Sequence, residues 1–209
     1  MKSKNIIFES KRVRSTFGLN SFNPLLLEDI SRYKNHGTIT GATWVRLPSG
    51  LWVLSFDGND YISCTIADPG DVYSIIAWVK PTNLDAARTI FSGVNYTPDF
   101  SILSTTGNLR IATQVGNQYV ISSGVVSTTE HTCCGATVND KEIAVYINGS
   151  PDGSGTVANS PDWTNPHYLG RWATAYMVGN IGLFLMTASA LSADYHKEFY
   201  SKTRHLFNV

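Results

Sequence analysis

Carboxylates are the first residues to search for chemistry. Asp57, Asn59 and Asp60 crowd one short stretch, Asp57-Gly58-Asn59-Asp60, and Asp29 lies upstream. These four side chains could offer oxygens to Ca2+, which takes about 6–8, some from backbone and water. The alternative is that Asp and Asn serve the turn itself by bonding their own main chain. Glycosidic hydrolysis needs two carboxylates on either side of the scissile bond. No strand-like run here spaces acids on one face, and Glu142 stands alone. No Gly-x-Ser-x-Gly, His-Glu-x-x-His or phosphate-binding loop occurs. His36, His131, His167, His196 and His205 are scattered. No catalytic residue is assigned.

The residues suited to holding a ligand are aromatics in turn-rich segments. Tyr96 sits in Gly93-Val-Asn-Tyr-Thr-Pro98, Trp163 in the Pro-rich stretch Ser150–Pro166, and Trp172 follows Gly170-Arg171. Aromatic faces stack on sugars, and Arg171 can bond hydroxyls. The competing reading packs Trp172 on a strand edge and Trp163 on its own loop. Trp44, Trp52 and Trp78 are read as core.

Strands must position these groups. Ile143, Val145 and Ile147 alternate with Glu142, Ala144 and Tyr146, so one face of that run is aliphatic. Asn139-Asp140 marks a turn from the preceding Cys133–Val138 run, giving a hairpin. Val72–Lys80 is apolar on both faces and needs a layer on each side. Trp52–Phe56 and Tyr61–Ile66 read as a hairpin, and Thr38–Val45 as one irregular strand. Prolines and glycines in Ser150–Pro166 exclude a regular central strand through most of it. Ile181–Met186 is a core strand. Ser192 caps a helix over about Ala193–Arg204, with Tyr195, Phe199 and Tyr200 on one side.

Composition agrees with strands. Of 209 residues, 15% are charged and 11% aromatic, a β-rich balance. Sixteen basic and 16 acidic residues give zero net charge, which supports neither nucleic-acid binding nor an anionic membrane partner. No run approaches the ~20 apolar residues of a membrane span, and the N-terminus lacks a signal-peptide core. Cys64, Cys133 and Cys134 form no disulfide framework and read as buried thiols. Residues 1–20 read as a basic arm with a short strand at Asn5–Phe8, and residues 21–209 as one sandwich.

Several motifs in order resemble the laminin-G-like, concanavalin-A-like jelly-roll family. They are Asp29-Ile-Ser31, Asn35-His-Gly-Thr38, Phe56-Asp-Gly58, Ala77-Trp-Val-Lys-Pro81, Tyr146-Ile-Asn-Gly149, Leu169-Gly170 and Ala190-Leu-Ser192. The resemblance implies an all-β, two-sheet antiparallel jelly-roll sandwich with one short C-terminal helix. Two departures stand out. Gly182-Leu183 replaces the family's acidic pair, which puts an inherited calcium site in doubt, so no cofactor is expected. His131 stands where the family has a core Trp.

The resemblance implies a non-catalytic structural and surface-binding module of a virion, on a phage capsid or tail fibre. It would be made in the host cytoplasm. The arm would dock on other virion proteins, the body would form a homo-oligomer, and the loops would be free to touch glycans. The alternatives are an extracellular, cellular lectin-type domain and a glycan hydrolase.

Overall fold

A strand that is apolar on both faces demands cover twice, and Val72–Pro81 receives it. The computed structural model describes residues 5–8 (backbone), 25–29, 31, 33–94, 98–114, 118–158, 161 and 163–209. In chain order the strands are β1 (Asn5–Phe8), β2 (Leu26–Leu27), β3 (Gly37–Thr40), β4 (Thr43–Arg46), β5 (Trp52–Asp57), β6 (Tyr61–Cys64), β7 (Val72–Pro81), β8 (Arg88–Gly93) and β9 (Asp99–Ile102). Then come β10 (Asn108–Gln114), β11 (Gln118–Val125), β12 (Thr132–Asn139), β13 (Glu142–Ile147), β14 (Ser150–Thr156), β15 (His167–Leu169), β16 (Arg171–Trp172), β17 (Ala175–Tyr176) and β18 (Val178–Thr187). Helix α1 (Ala193–Thr203) and a 3-10 turn close the chain.

Sheet one runs β14-β13-β12-β7-β18-β5-β4, with β1 added beside β18. Sheet two runs β11-β10-β9-β8-β15-β6-β3-β2, and β16-β17 is a small hairpin of its own. The two large sheets are antiparallel and pack face to face, with one short C-terminal helix, as the sequence motifs imply. Tyr73, Ile75, Ala77 and Val79 of β7 meet Phe91, Phe100, Ile102 and Ile111 of sheet two in the main core. The other face of β7 turns Ile76 and Trp78 into a second cluster under α1 and the chain's last residues.

Trp78 organises that second cluster. Its ring stacks on Phe207 (4.3 Å between centroids) and on Tyr200 (5.7 Å), and its Nε1–H donates to Thr203 Oγ1 at 2.9 Å. The register of β18 on β7 jumps between Ile181/Val79 and Phe184/Ala77, so Gly182 and Leu183 together face Trp78 as a bulge. A Cβ on Gly182 would lie 2.6 Å from the Phe207 ring. The departure from the family's acidic pair therefore has a packing cause.

Helix α1 begins where expected, with Ser192 Oγ accepting from Tyr195 N–H at 3.2 Å. Its covered face is His196, Phe199, Tyr200 and Thr203, and Tyr195 is exposed instead of packing with Phe199 and Tyr200. His196 stacks on Tyr146 at 3.8 Å and pairs with Thr137 Oγ1 at 2.9 Å. Gly135 makes room for it, since a Cβ there would sit 2.6 Å from His196 Nδ1.

Two local expectations change. β5 and β6 do not form a hairpin; they lie in opposite sheets, and residues 57–60 carry the chain across. Thr38–Val45 likewise divides into β3 in sheet two and β4 in sheet one. The first half of the Pro-rich stretch is an edge strand, β14, a position where Pro151 is tolerated. Asp152 Oδ2 accepts from Gly124 N–H at 2.7 Å and ties this edge to β11 of the other sheet. β1 pairs with Phe184–Thr187 of β18, beyond the stretch of β18 that β5 occupies.

Candidate functional site

Strand parity separates the two faces of sheet two. Ile39, Ile62, Leu169, Phe91, Phe100, Ile111 and Val120 form one row across seven strands and point into the core. One residue along, Thr38, Ser63, Tyr168, Ser92, Asp99, Ala112 and Tyr119 form the neighbouring row on the outer face. This outer row is polar and aromatic, and its centre is buried. Arg110 forms an ion pair with Asp99 and its Nε–H donates to Ser101 Oγ at 3.3 Å. Ser101 Oγ donates to Asp99 Oδ2 at 3.1 Å. Burial pushes the Asp99 carboxyl above its ordinary range, while the Arg110 charge and hydrogen bond pull the other way.

The β16–β17 hairpin is fastened over this face. Ser92 Oγ donates to the Arg171 carbonyl at 2.6 Å, Gly170 N–H donates to the Ile90 carbonyl at 3.0 Å, and Met177 N–H closes on the Gly170 carbonyl at 2.8 Å. Arg171 and Tyr176 are paired residues of the hairpin. The Arg171 guanidinium carbon lies 4.8 Å from the Tyr61 ring centre, 5.0 Å from Tyr168 and 5.8 Å from Tyr176. Tyr61 and Tyr168 meet edge to face at 5.8 Å. Arg171, Trp172 and the three tyrosines are all half-buried. Cation–π attraction thus holds a guanidinium among three rings.

The structure sorts the expected ligand residues. Arg171 and Trp172 are neighbours on this hairpin, so Arg171 shares a face with its pair Tyr176 and Trp172 takes the other face with Ala175. Tyr96 lies outside the described residues. Trp163 is buried in the main core, edge-on to Tyr73 at 4.9 Å and 5.4 Å from the His167 ring. Its loop folds inward because the Asn165 side chain accepts from Ile66 N–H (2.8 Å) and donates to the Ile66 carbonyl (3.1 Å). Trp163 therefore packs instead of facing a ligand. Tyr61, Tyr168 and Tyr176 were missed. Their only sequence signal was parity: Tyr61 and Tyr168 alternate with the inward Ile62 and Leu169.

Of the four oxygen-bearing candidates for calcium, Asp29 stands apart from Asp57, Asn59 and Asp60, which share one turn. Asp29 is fully buried and accepts from Ser31 N–H, Ser31 Oγ–H and Asn35 N–H, each at 2.8 Å. Its charge acts on Cys64, at the end of β6 remote from Asp60. Asp60 Oδ2 accepts from Asp57 N–H at 2.9 Å, and Asp57 Oδ1 from Asn59 N–H at 3.3 Å. These are the bonds a turn makes for itself. Among the described residues no three His, Cys, Asp or Glu side chains cluster as a metal site. The surface groove on sheet one, about 550 Å³, is lined by Thr137, Asn139, Glu142, Ser154 and Leu191 among others, and Glu142 is its one carboxylate.

A family model described as the concanavalin A-like lectin/glucanases superfamily, of laminin G type, matches residues 56–195. The chain belongs to this superfamily. The match spans β6 to the start of α1 and so contains the whole Arg171 platform. Among solved structures, this superfamily member is similar to domain 4 of an extracellular arabinanase from Geobacillus stearothermophilus, solved with arabinotriose. That pair has 21% identity and a TM-score of 0.66, covering 78% of this chain and 87% of the other. It is also similar to the binding domain of Paraclostridial mosquitocidal protein 1, at 16% identity and a TM-score of 0.68, covering 84% of this chain and 49% of that one. The binding domain of botulinum neurotoxin DC, solved with SialylT, gives 15% identity and a TM-score of 0.63, covering 84% and 48%. The chain thus spans about half the length of the two toxin domains. No curated protein sequence matches it.

Proposed function

We propose that the chain is a non-catalytic glycan-binding module that presents the Arg171 platform to sugars. The observation that carries this reading is the platform itself: one cation and three tyrosines, half-buried together on the outer face of a lectin-type sheet. Guanidinium N–H groups and phenol hydroxyls bond sugar hydroxyls, and the tyrosine rings offer an apolar surface. Two of the similar structures were solved with glycans, arabinotriose and SialylT, which supports a sugar ligand.

Binding without hydrolysis fits the distribution of acids. The described strand residues of sheet two's outer row include one carboxylate, Asp99, and it is held by Arg110. The sheet-one groove also has one. Hydrolysis would need two in one place. In this reading binding needs no calcium, and Asp29, Asp57 and Asp60 serve their own loops.

The setting proposed is a virion surface, on a capsid or tail fibre, with the basic N-terminal residues that flank β1 in the sequence docking on neighbouring proteins and copies of the chain associating as a homo-oligomer. Three buried free thiols suit a protein made in a cytoplasm.

A glycan array probed with the full chain tests the reading. Binding is expected in EDTA, with no release of sugar, and loss on Tyr168→Ala. An array with no bound glycan overturns it. Mass spectrometry of purified particles tests the setting, and absence of the chain from them removes it.

A further inference from the structure

Two arginines on sheet two and one on the β16–β17 hairpin above it are not treated alike. Arg110 on β10 has Asp99. Arg88 on β8 has Asp85, the Asn83 side chain and two carbonyls. Arg171 has ring contacts at 4.8, 5.0 and 5.8 Å and neither an ion pair nor a hydrogen bond to its guanidinium from any described residue. Ring contacts leave all five N–H donors unused, and they hold the fork in place before any ligand arrives. A half-buried cation with no counter-ion is an expensive arrangement unless something supplies the anion. The phenol hydroxyls of Tyr61, Tyr168 and Tyr176 lie on the same platform, also without a described hydrogen-bond partner.

We infer that the platform selects acidic glycans, with a carboxylate or sulfate ester on the sugar supplying the missing partner of Arg171. This rests on the glycan-binding reading above and narrows it to a ligand class. A planar guanidinium engages an oxyanion with two parallel N–H···O bonds, which an ammonium cannot reproduce. The flanking phenol hydroxyls and rings then meet the neutral part of the sugar.

The test uses the full chain against three immobilised pairs that differ in charge: polygalacturonate and its methyl ester, sialyllactose and lactose, dextran sulfate and dextran. The expected result is about tenfold tighter binding to the acidic member of at least one pair. That preference should weaken between about 50 and about 300 mM salt. Which pair responds separates carboxylate from sulfate. Arg171→Gln should abolish the preference. Arg171→Lys keeps the charge and stem but loses the fork, and should cost at least about fivefold. Lys197→Gln removes an equal charge from the exposed side of α1 and should change nothing. Equal binding of acidic and neutral members, or a preference that survives Arg171→Gln, overturns the inference and leaves the glycan reading standing. Binding to neither member of any pair, nor to a wider array, overturns both.

Discussion

The two outer faces of the sandwich use the same residue types to opposite ends. Sheet one stacks Trp78 between Tyr200 and Phe207 and closes α1 over them. Its cation, Arg204, lies 5.6 Å from the Tyr200 ring and also donates Nε–H to the Val209 carbonyl. The outer face of sheet two gathers Tyr61, Tyr168 and Tyr176 around Arg171 and leaves all of them half-buried. Aromatics whose polar and apolar needs are both met hold a fold together. Aromatics held in place with donors to spare are equipped to receive something else.

The largest effects should come from the two interior tryptophans. Trp78→Ala removes two stacks and the bond to Thr203 and should lower unfolding free energy by roughly 3–5 kcal/mol in a urea titration. Trp163→Ala should cost a similar amount, roughly 3–5 kcal/mol, because it empties a core site beside Tyr73 and His167. Glycan affinity per folded molecule should stay unchanged in both. Loss of affinity in folded Trp163→Ala would return that residue to the site and undo the contrast between the faces.

Gly182→Ala sharpens the sheet-one side. The added methyl would meet Phe207 at 2.6 Å and should cost about 1–3 kcal/mol. Phe207→Leu in the same chain should recover most of that difference, since the clash then loses its partner. A double-mutant cycle with coupling below about 0.5 kcal/mol would show that the bulge is not held open for Phe207.

Acid should also separate the faces. Burial lowers His196 to about 4, and burial with nearby Lys80 lowers His131 to about 4. Both lie on sheet one's outer side, against Tyr146 and Phe207 respectively. Each is neutral when folded and near 6.5 when unfolded, so between pH 6.5 and about 4 the unfolded state binds more protons. Stability is full above pH 6.5 and falls as pH drops through that window, by about 1–3 kcal/mol per histidine. Urea midpoints at pH 7.5 and 4.5 measure it, and His196→Gln should flatten the slope. An unchanged midpoint would mean these rings are hydrated.

Much of the fold was legible because local pattern and burial agree. The β12–β13 hairpin, the doubly covered β7, the β18 core strand and the Ser192 cap all follow from alternation and capping. Sheet membership was not legible for β3 to β6. Alternation says which face is buried but not which sheet a strand joins, and a turn such as residues 57–60 can cross as well as fold back. Trp163 misled because a Pro-rich segment reads as surface, while Asn165 turns the loop inward through Ile66. The platform was half legible. Arg171 and Trp172 stood out beside Gly170, but Tyr61 reaches Arg171 from a strand more than a hundred residues earlier, and only the pairing of β15 with β6 brings it there.

The smallest stability change should accompany the largest change in binding. Arg171→Gln gives up ring contacts worth about 0.5–1 kcal/mol at a half-exposed site. It also relieves a cation that has no counter-ion among the described residues, so the two terms oppose and the net cost should stay below about 1 kcal/mol. The same urea titration that reads several kcal/mol for Trp78→Ala should barely register it. If Arg171→Gln instead destabilises as strongly as Trp78→Ala, the tyrosines and Arg171 are a clamp for the β16–β17 hairpin. Both faces would then be packing devices, and sheet two would have no site prepared for a ligand.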